Sequence, residues 1–217
     1  MGHGLWARVG WVRQPGVSVL RRVVREESQV TVIVDYGSGN IWSVVKAIPN
    51  AVVSKDEDII ANADRIVLPG VGSFAQVMAD IRPLVNGLCF AKGRGVPILG
   101  ICIGMQIMAT TGIEGGTTNG LNWIEGDVVP ITAERVPHCG WNDVTPRNIN
   151  VPLGFAYFTH SYHFVPKNAD DIWATTHYGP NELVSAVGRD NVMGVQFHPE
   201  KSQQYGRDFL TTWLVRA

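Results

Sequence analysis

The chain has 217 residues, 45% of them hydrophobic, enough for one substantial core and too few for several domains. A formal net charge of −1 with 17% charged residues gives nucleic acid no electrostatic footing, and no apolar run approaches the ~20 residues that span a bilayer. Cys89, Cys102 and Cys139 cannot all pair and match no zinc spacing, which points to a reducing, cytoplasmic setting without disulfides or metal.

Residues 1–29 carry Arg8, Arg13, Arg21, Arg22 and Arg25 with no acid before Glu26, and their apolar residues lack a clean period. They are read as an N-terminal extension of little order rather than a targeting segment, leaving 30–217 as one domain. Val30–Val34 is a β-branched strand that ends in the polar turn Asp35–Asn40, DYGSGN, before a helix over Ile41–Ile48. This G-x-G lacks the third glycine of a dinucleotide fingerprint, so no nucleotide cofactor is expected there. A short strand, Ala51–Ser54, and an acidic helix, Asp56–Asn62, follow. Arg65–Leu68 is the third strand and closes in Pro69-Gly70-Val71-Gly72-Ser73. Phe74–Lys92 has helical periodicity that Pro83 should kink or split. Val96–Gly100 is the fourth strand, and a helix should run through Ile103–Ala109. Strand alternating with helix demands a parallel sheet with right-handed crossovers.

After Thr110 the texture changes to short β-rich pieces between turns: Asp127–Thr132, Trp141–Thr145, Phe155–Phe164 and Ile172–His177. These predict a mixed or antiparallel extension. Leu183–Val187 and Val192–Phe197 return to buried strands, and Tyr205–Val215 closes the chain as a helix.

The chemistry concentrates at Gly100-Ile101-Cys102-Ile103-Gly104. A G-x-C-x-G turn between a buried strand and a helix is the cysteine counterpart of a nucleophile elbow. The glycines suit a strained backbone where side chains would collide, and the helix N-terminus favours a thiolate. A nucleophilic cysteine needs a base and a group that orients the base. His198 follows a strand, is stiffened by Pro199, and has Glu200 two residues on to fix its tautomer. His138, beside Cys139, has no adjacent carboxylate; His177 lies mid-strand, and His160 sits in an aromatic strand where it can shape the site. Cys89 reads as a small apolar residue.

These motifs resemble the class I (triad) glutamine amidotransferases, whose elbow G-[IV]-C-x-G-x-Q appears here as GICIGMQ and whose histidine–proline–glutamate appears as His198-Pro199-Glu200. The likeness narrows to one branch, the glutaminase subunits of imidazole glycerol phosphate synthase. Its marks are matched by DYGSGN, PGVG, PHCGWN (Pro137–Asn142), YFTHSYH (Tyr157–His163) and QFHPEKS (Gln196–Ser202), from about Val30 to the C-terminus. The resemblance implies an α/β, flavodoxin-like, mostly parallel sheet flanked by helices. It implies Cys102 as nucleophile, His198 as proton shuttle and Glu200 as its orienter, with a glutamyl thioester hydrolysed to glutamate. It further implies oxyanion donors at Ile103 and Val71, with Gly70 and Gly72 allowing a peptide flip. L-glutamine would be bound by Gln106, Ser161 and Tyr162, with Glu114 a candidate for its ammonium group. Ammonia would pass to a (β/α)₈ cyclase subunit in a heterodimer of histidine biosynthesis, met near Asn40, Tyr157 and Lys201. No metal or cofactor is implied. Cys139 departs from the family's usual methionine, and ATTGIEGG after Met108 departs from its aromatic and acidic pattern. The rival readings are a triad glutaminase serving another acceptor, a silent scaffold subunit, and a cysteine hydrolase that does not require glutamine.

Overall fold

The computed structural model describes residues 9–12, 21–24, 29–37 and 41–217. Val9–Val12 (β1) and Arg21–Val24 (β2) pair antiparallel, a ladder that the irregular sequence pattern does not suggest. The rest of the expected N-terminal extension lies outside the described residues, as does Asn40.

The centre is a nine-stranded sheet. Its parallel half contains Thr31–Val34 (β3), Val52–Ser54 (β4), Arg65–Leu68 (β5), Ile98–Ile101 (β6) and the much later Val192–Val195 (β15). Read across, these run β4-β3-β5-β6-β15, the doubly wound order in which sites form beyond the carboxyl ends of the strands. β3, β5, β6 and β15 are buried at every position, which is why their sequences are apolar runs rather than alternations. Successive side chains still part to opposite faces. Val32 and Val34 join a core with Ile60, Phe74, Val77, Ile81 and Leu88, whereas Ile33 joins one with Val44, Phe209, Leu210 and Trp213. So α2 (Glu57–Ala61), α3 (Phe74–Ile81) and α4 (Val85–Gly93) cover one face, and α1 (Ile41–Ala47) and α6 (Gln203–Arg216) cover the other. Each fully buried side chain of this size, Phe74 and Phe209 among them, contributes roughly 1.5–3 kcal/mol of transfer free energy. The expected long helix is split around Pro83: a 3₁₀ turn at Arg82–Leu84 separates α3 from α4. Among the described residues no helix is long and apolar enough to cross a membrane.

The extension is antiparallel, as the sequence pattern suggests. β10 (His138–Pro146), β11 (Gly154–His160), β13 (Ile172–Tyr178) and β14 (Asn181–Arg189) continue the large sheet from β15 in the order β14-β13-β10-β11. β7 (Thr111–Gly112), β8 (Thr118–Asn119), β9 (Gly126–Pro130) and β12 (Tyr162–Pro166) build a separate four-stranded sheet. The single strand expected over Phe155–Phe164 is therefore two: the chain leaves the large sheet after His160, turns at Ser161, and enters the small one at Tyr162.

The helix after β6 stops early. α5 spans Ile103–Gln106, with Met108 and Ala109 already in a turn. Gly104 sits where α5 crosses the end of β5, and a Cβ there would overlap the Leu68 carbonyl oxygen. A backbone atom cannot swing aside as a side chain can. Gly104→Ala is therefore expected to cost about 3 kcal/mol, the upper end for overpacking, and to lower the melting temperature by roughly 10 °C. Thermal denaturation of the variant measures it.

Candidate active site

Cys102, His198 and the PGVG turn arrive at one place because β5, β6 and β15 are adjacent and parallel. β6 ends at Ile101, and Cys102 is the next residue, with φ 52° and ψ −108°. The left-handed strain of the elbow thus falls on the cysteine; neither Gly100 nor Gly104 has a positive φ. The flanking glycines serve close approach instead, and Gly100 is packed against the Gly104 carbonyl as Gly104 is against Leu68. The Cys102 N–H donates to the Val195 carbonyl at 2.8 Å, tying the elbow to β15. Its side chain is buried, 7% exposed, whereas Cys89 and Cys139 lie on the surface.

His198 follows β15 by three residues, and Pro199 opens the 3₁₀ turn Pro199–Lys201 that folds Glu200 back over the ring. Glu200 Oε1 accepts from His198 Nδ1 at 2.7 Å, and the two side chains are 1% and 4% exposed. Nε2 is left toward Cys102; it makes no hydrogen bond of ordinary geometry but lies within the reach of the sulfur's charge. Burial alone would push the His198 pKa down. Its polar contact with Cys102, the Glu200 hydrogen bond and the charges of both outweigh it and raise the pKa from 6.5 to about 9. The imidazolium is therefore the resting form at neutral pH. The backbone is fixed too. His198 N–H donates to the Tyr157 carbonyl at 2.9 Å, Tyr157 N–H donates to Ser202 Oγ at 2.9 Å, and that hydroxyl donates to the His198 carbonyl at 2.6 Å.

In front of Cys102 lies a pocket of about 350 Å³ lined by Val71, Gly72, Ile103, Gln106, Glu114, Ser161 and Tyr162, together with Pro137, Thr159 and His160. Most residues singled out in the sequence for glutamine thus share one wall or another. Gly72 has φ +140°, a conformation open to glycine. Gly70 is not among the lining residues. It abuts the Ile103 side chain so closely that a Cβ would overlap it. Glu114 borders the pocket, but its Oε2 already accepts from the Phe74 N–H at 2.7 Å, at the start of α3. Gln106 points its Nε2 inward, to the Tyr162 carbonyl at 2.9 Å and to Gln196 Oε1 at 3.0 Å. Gln196 in turn lies 3.6 Å from Cys102 Sγ through its Nε2. Sequence reasoning passes over Gln196, although it stands two residues before His198, just past the end of β15, where a fully buried amide needs partners.

Tyr157 and Lys201 lie together on the exposed side of β11, with Lys201 Nζ 5.9 Å from the Tyr157 ring centre. Across the ladder Trp141 opposes Tyr157, ring centres 6.3 Å apart and half exposed, and Cys139 Sγ is 3.7 Å from the Tyr157 hydroxyl.

Residues 32–217 match the model of the glutamine amidotransferase class-I family. The chain belongs to the class I glutamine amidotransferases. It is 44% identical over 209 residues to the imidazole glycerol phosphate synthase subunit HisH of Zymomonas mobilis, covering 87% of this chain and 97% of that one. It is 41% identical to the subunit of the same name from Rhodopseudomonas palustris, over 84% and 96% of the two chains. Among solved structures, PurLQS from Thermotoga maritima superposes with a TM-score of 0.69 at 18% identity, covering 86% of this chain and 98% of that one. A structure described as a glutamine amidotransferase gives 0.68 at 17% identity, covering 85% and 98%. As an amidotransferase, the chain is an α/β enzyme of glutamine chemistry, and its mostly parallel sheet and antiparallel extension are those of the fold expected from its sequence.

Proposed function

We propose that this chain is the glutaminase subunit of an imidazole glycerol phosphate synthase, acting in the cytoplasm in histidine biosynthesis and paired with a (β/α)₈ cyclase subunit. The observation that carries the reading is the buried Cys102, held on a positive-φ turn beside the His198–Glu200 pair, in a chain 44% identical to such a subunit.

Glutamine enters the pocket with its carboxamide at Cys102. The thiolate sulfur attacks the carboxamide carbon, and the oxyanion is received by the Ile103 N–H and by a Val71 N–H that the Gly72 hinge turns inward. Losing one such donor typically costs ~10²–10³ in rate. His198, already protonated, gives its Nε2 proton to the leaving nitrogen, so ammonia departs and a glutamyl thioester remains. The neutral imidazole then takes a proton from water, which releases glutamate and restores the thiolate–imidazolium pair. Glu200 holds Nδ1 throughout and favours the cation. Ser161, Tyr162 and Gln106 line the pocket around the substrate, and Glu114, which also holds the start of α3, takes its ammonium. The exposed Trp141 and the half-buried Tyr157 and Lys201 are assigned to the face for the cyclase, and Asn40 to the same contact.

Glutamate release is expected to be slow for the chain alone and to rise at least tenfold when the cyclase subunit and its nucleotide substrate are present, because PGVG must reorganise before the oxyanion is held. Measuring release in the four combinations tests the partner and the coupling together. Equal rates in all four would remove both.

A further inference from the structure

Beyond these catalytic groups, the structure holds an unbroken run of hydrogen bonds that ends on the nucleophile. Asn142 Nδ2 lies 3.1 Å from His138 Nε2, His138 Nδ1 lies 3.0 Å from His160 Nε2, and His160 Nδ1 lies 2.8 Å from the Tyr162 carbonyl oxygen. The direction of every bond follows from its last member. A carbonyl oxygen only accepts, so His160 carries its proton on Nδ1. A neutral imidazole has one N–H, so His160 Nε2 accepts and His138 Nδ1 donates. His138 Nε2 is then an acceptor, which suits the Asn142 amide. Burial supports the neutral forms by pushing the His138 pKa down to about 4 and that of His160 to about 3. His138 is further held by stacking on Phe158 and Tyr178, ring centres 4.6 and 4.1 Å away.

The same Tyr162 carbonyl also accepts from Gln106, so the amide nitrogen of Gln106 must be the atom on that side. Its other N–H meets Gln196 Oε1 at 3.0 Å. A reversed Gln196 amide would set two NH₂ groups against each other, so its Nε2 is forced to the far side, toward Cys102 Sγ at 3.6 Å. Gln196 is fully buried and has no water to exchange with.

We propose that Gln196 is a positioning residue for the nucleophile, its amide N–H holding the Cys102 sulfur and favouring the anion that attacks, with the direction of that N–H set by Gln106 and the Tyr162 carbonyl. This rests on Cys102 being the nucleophile. A donor to an anionic acceptor is among the stronger hydrogen bonds, and sulfur's size makes a second contact besides His198 useful in fixing its direction.

The test is alkylation of the native full-length chain by iodoacetamide, followed by mass spectrometry of the Cys102 peptide across pH. Exposed Cys89 and Cys139 serve as internal standards. Gln196→Leu and Gln196→Met keep the volume and remove the donor. In both, alkylation of Cys102 at pH 7 is expected to slow roughly tenfold, and the pH of half-maximal rate to rise by about one unit. The ionisable groups around the sulfur, which are His198 with Glu200 behind it and Glu114, His160 and Tyr162 on the pocket wall, are unchanged in these variants. A Gln196 that only fills space would alter the melting temperature and leave that pH profile where it was. Wild-type rate and profile in both variants would overturn the proposal. Glutamine hydrolysis retained by Cys102→Ala in complex with the cyclase would instead overturn the assignment of the nucleophile, whatever Gln196 does.

Discussion

Replacing Cys102 by alanine is expected to lower glutamine hydrolysis by about 10⁴-fold or more, while synthesis driven by free ammonia in the complex with the cyclase persists. Cys102 carries the thiol that lines the pocket, and the other two cysteines are on the surface. Alanine keeps a Cβ at φ 52°, so the variant preserves the backbone torsion of the elbow and removes only the sulfur. Glutamate release and ammonia-dependent product formation, measured on the same preparation, separate the two activities. Loss of both would mean damage to the complex; survival of hydrolysis would leave the elbow without a chemical role.

Glu200→Gln is the second large effect. The amide that replaces the carboxylate carries no charge, and as a donor it would press His198 toward the wrong tautomer; in an analogous triad, loss of the orienting carboxylate costs ~10⁴ in turnover. Glutaminase activity is expected to fall by about 10³–10⁴. The variant should also change how stability responds to pH. Because the folded-state pKa of His198 is raised to about 9, above its ordinary 6.5, the native state binds this proton more tightly than the unfolded chain. The resulting stabilisation is complete below about pH 6.5 and is lost as pH climbs through about 9. In Glu200→Gln, burial is left to oppose the Cys102 contribution without its partner, so the alkaline decline between those limits should flatten. Melting temperatures of both proteins from pH 6 to 10 check it.

The parallel half of the sheet was legible because β3, β5, β6 and β15 are buried on both faces, and continuous apolar runs such as Val32–Val34 admit few other fates. Pro83 announced its own break for the same local reason. Boundaries set by tertiary contacts were harder. The helix after Cys102 ends at Gln106 rather than Ala109, since the carbonyls of Met108 and Ala109 turn to accept from the N–H groups of Asn122–Ile124 further along the chain. The strand over Phe155–Phe164 reads as continuous, yet Ser161 divides it between two sheets whose existence no local pattern reveals. At the site, His198 and Glu200 were found because their partners are two residues apart. Gln196 was missed because its partners, Cys102 and Gln106, are 94 and 90 residues away and amides leave no spacing signature. His138 was set aside for want of a carboxylate, and its real companions are another imidazole and two aromatic rings.

The ring of bonds through Tyr157, His198 and Ser202 has a mechanical consequence. β11 is one of the two edge strands of the large sheet, laddered on one side only. Its main chain is bonded directly to the backbone of His198, while its outward side chains stand in the open. A displacement of that edge would thus reach the His198 backbone through the hydrogen bonds shared by Tyr157, Ser202 and His198, whereas the elbow is tied to β15. Since a 1 Å misplacement can cost about 10²-fold in rate, a displacement of β11 that reaches the ring would be read as a change in rate.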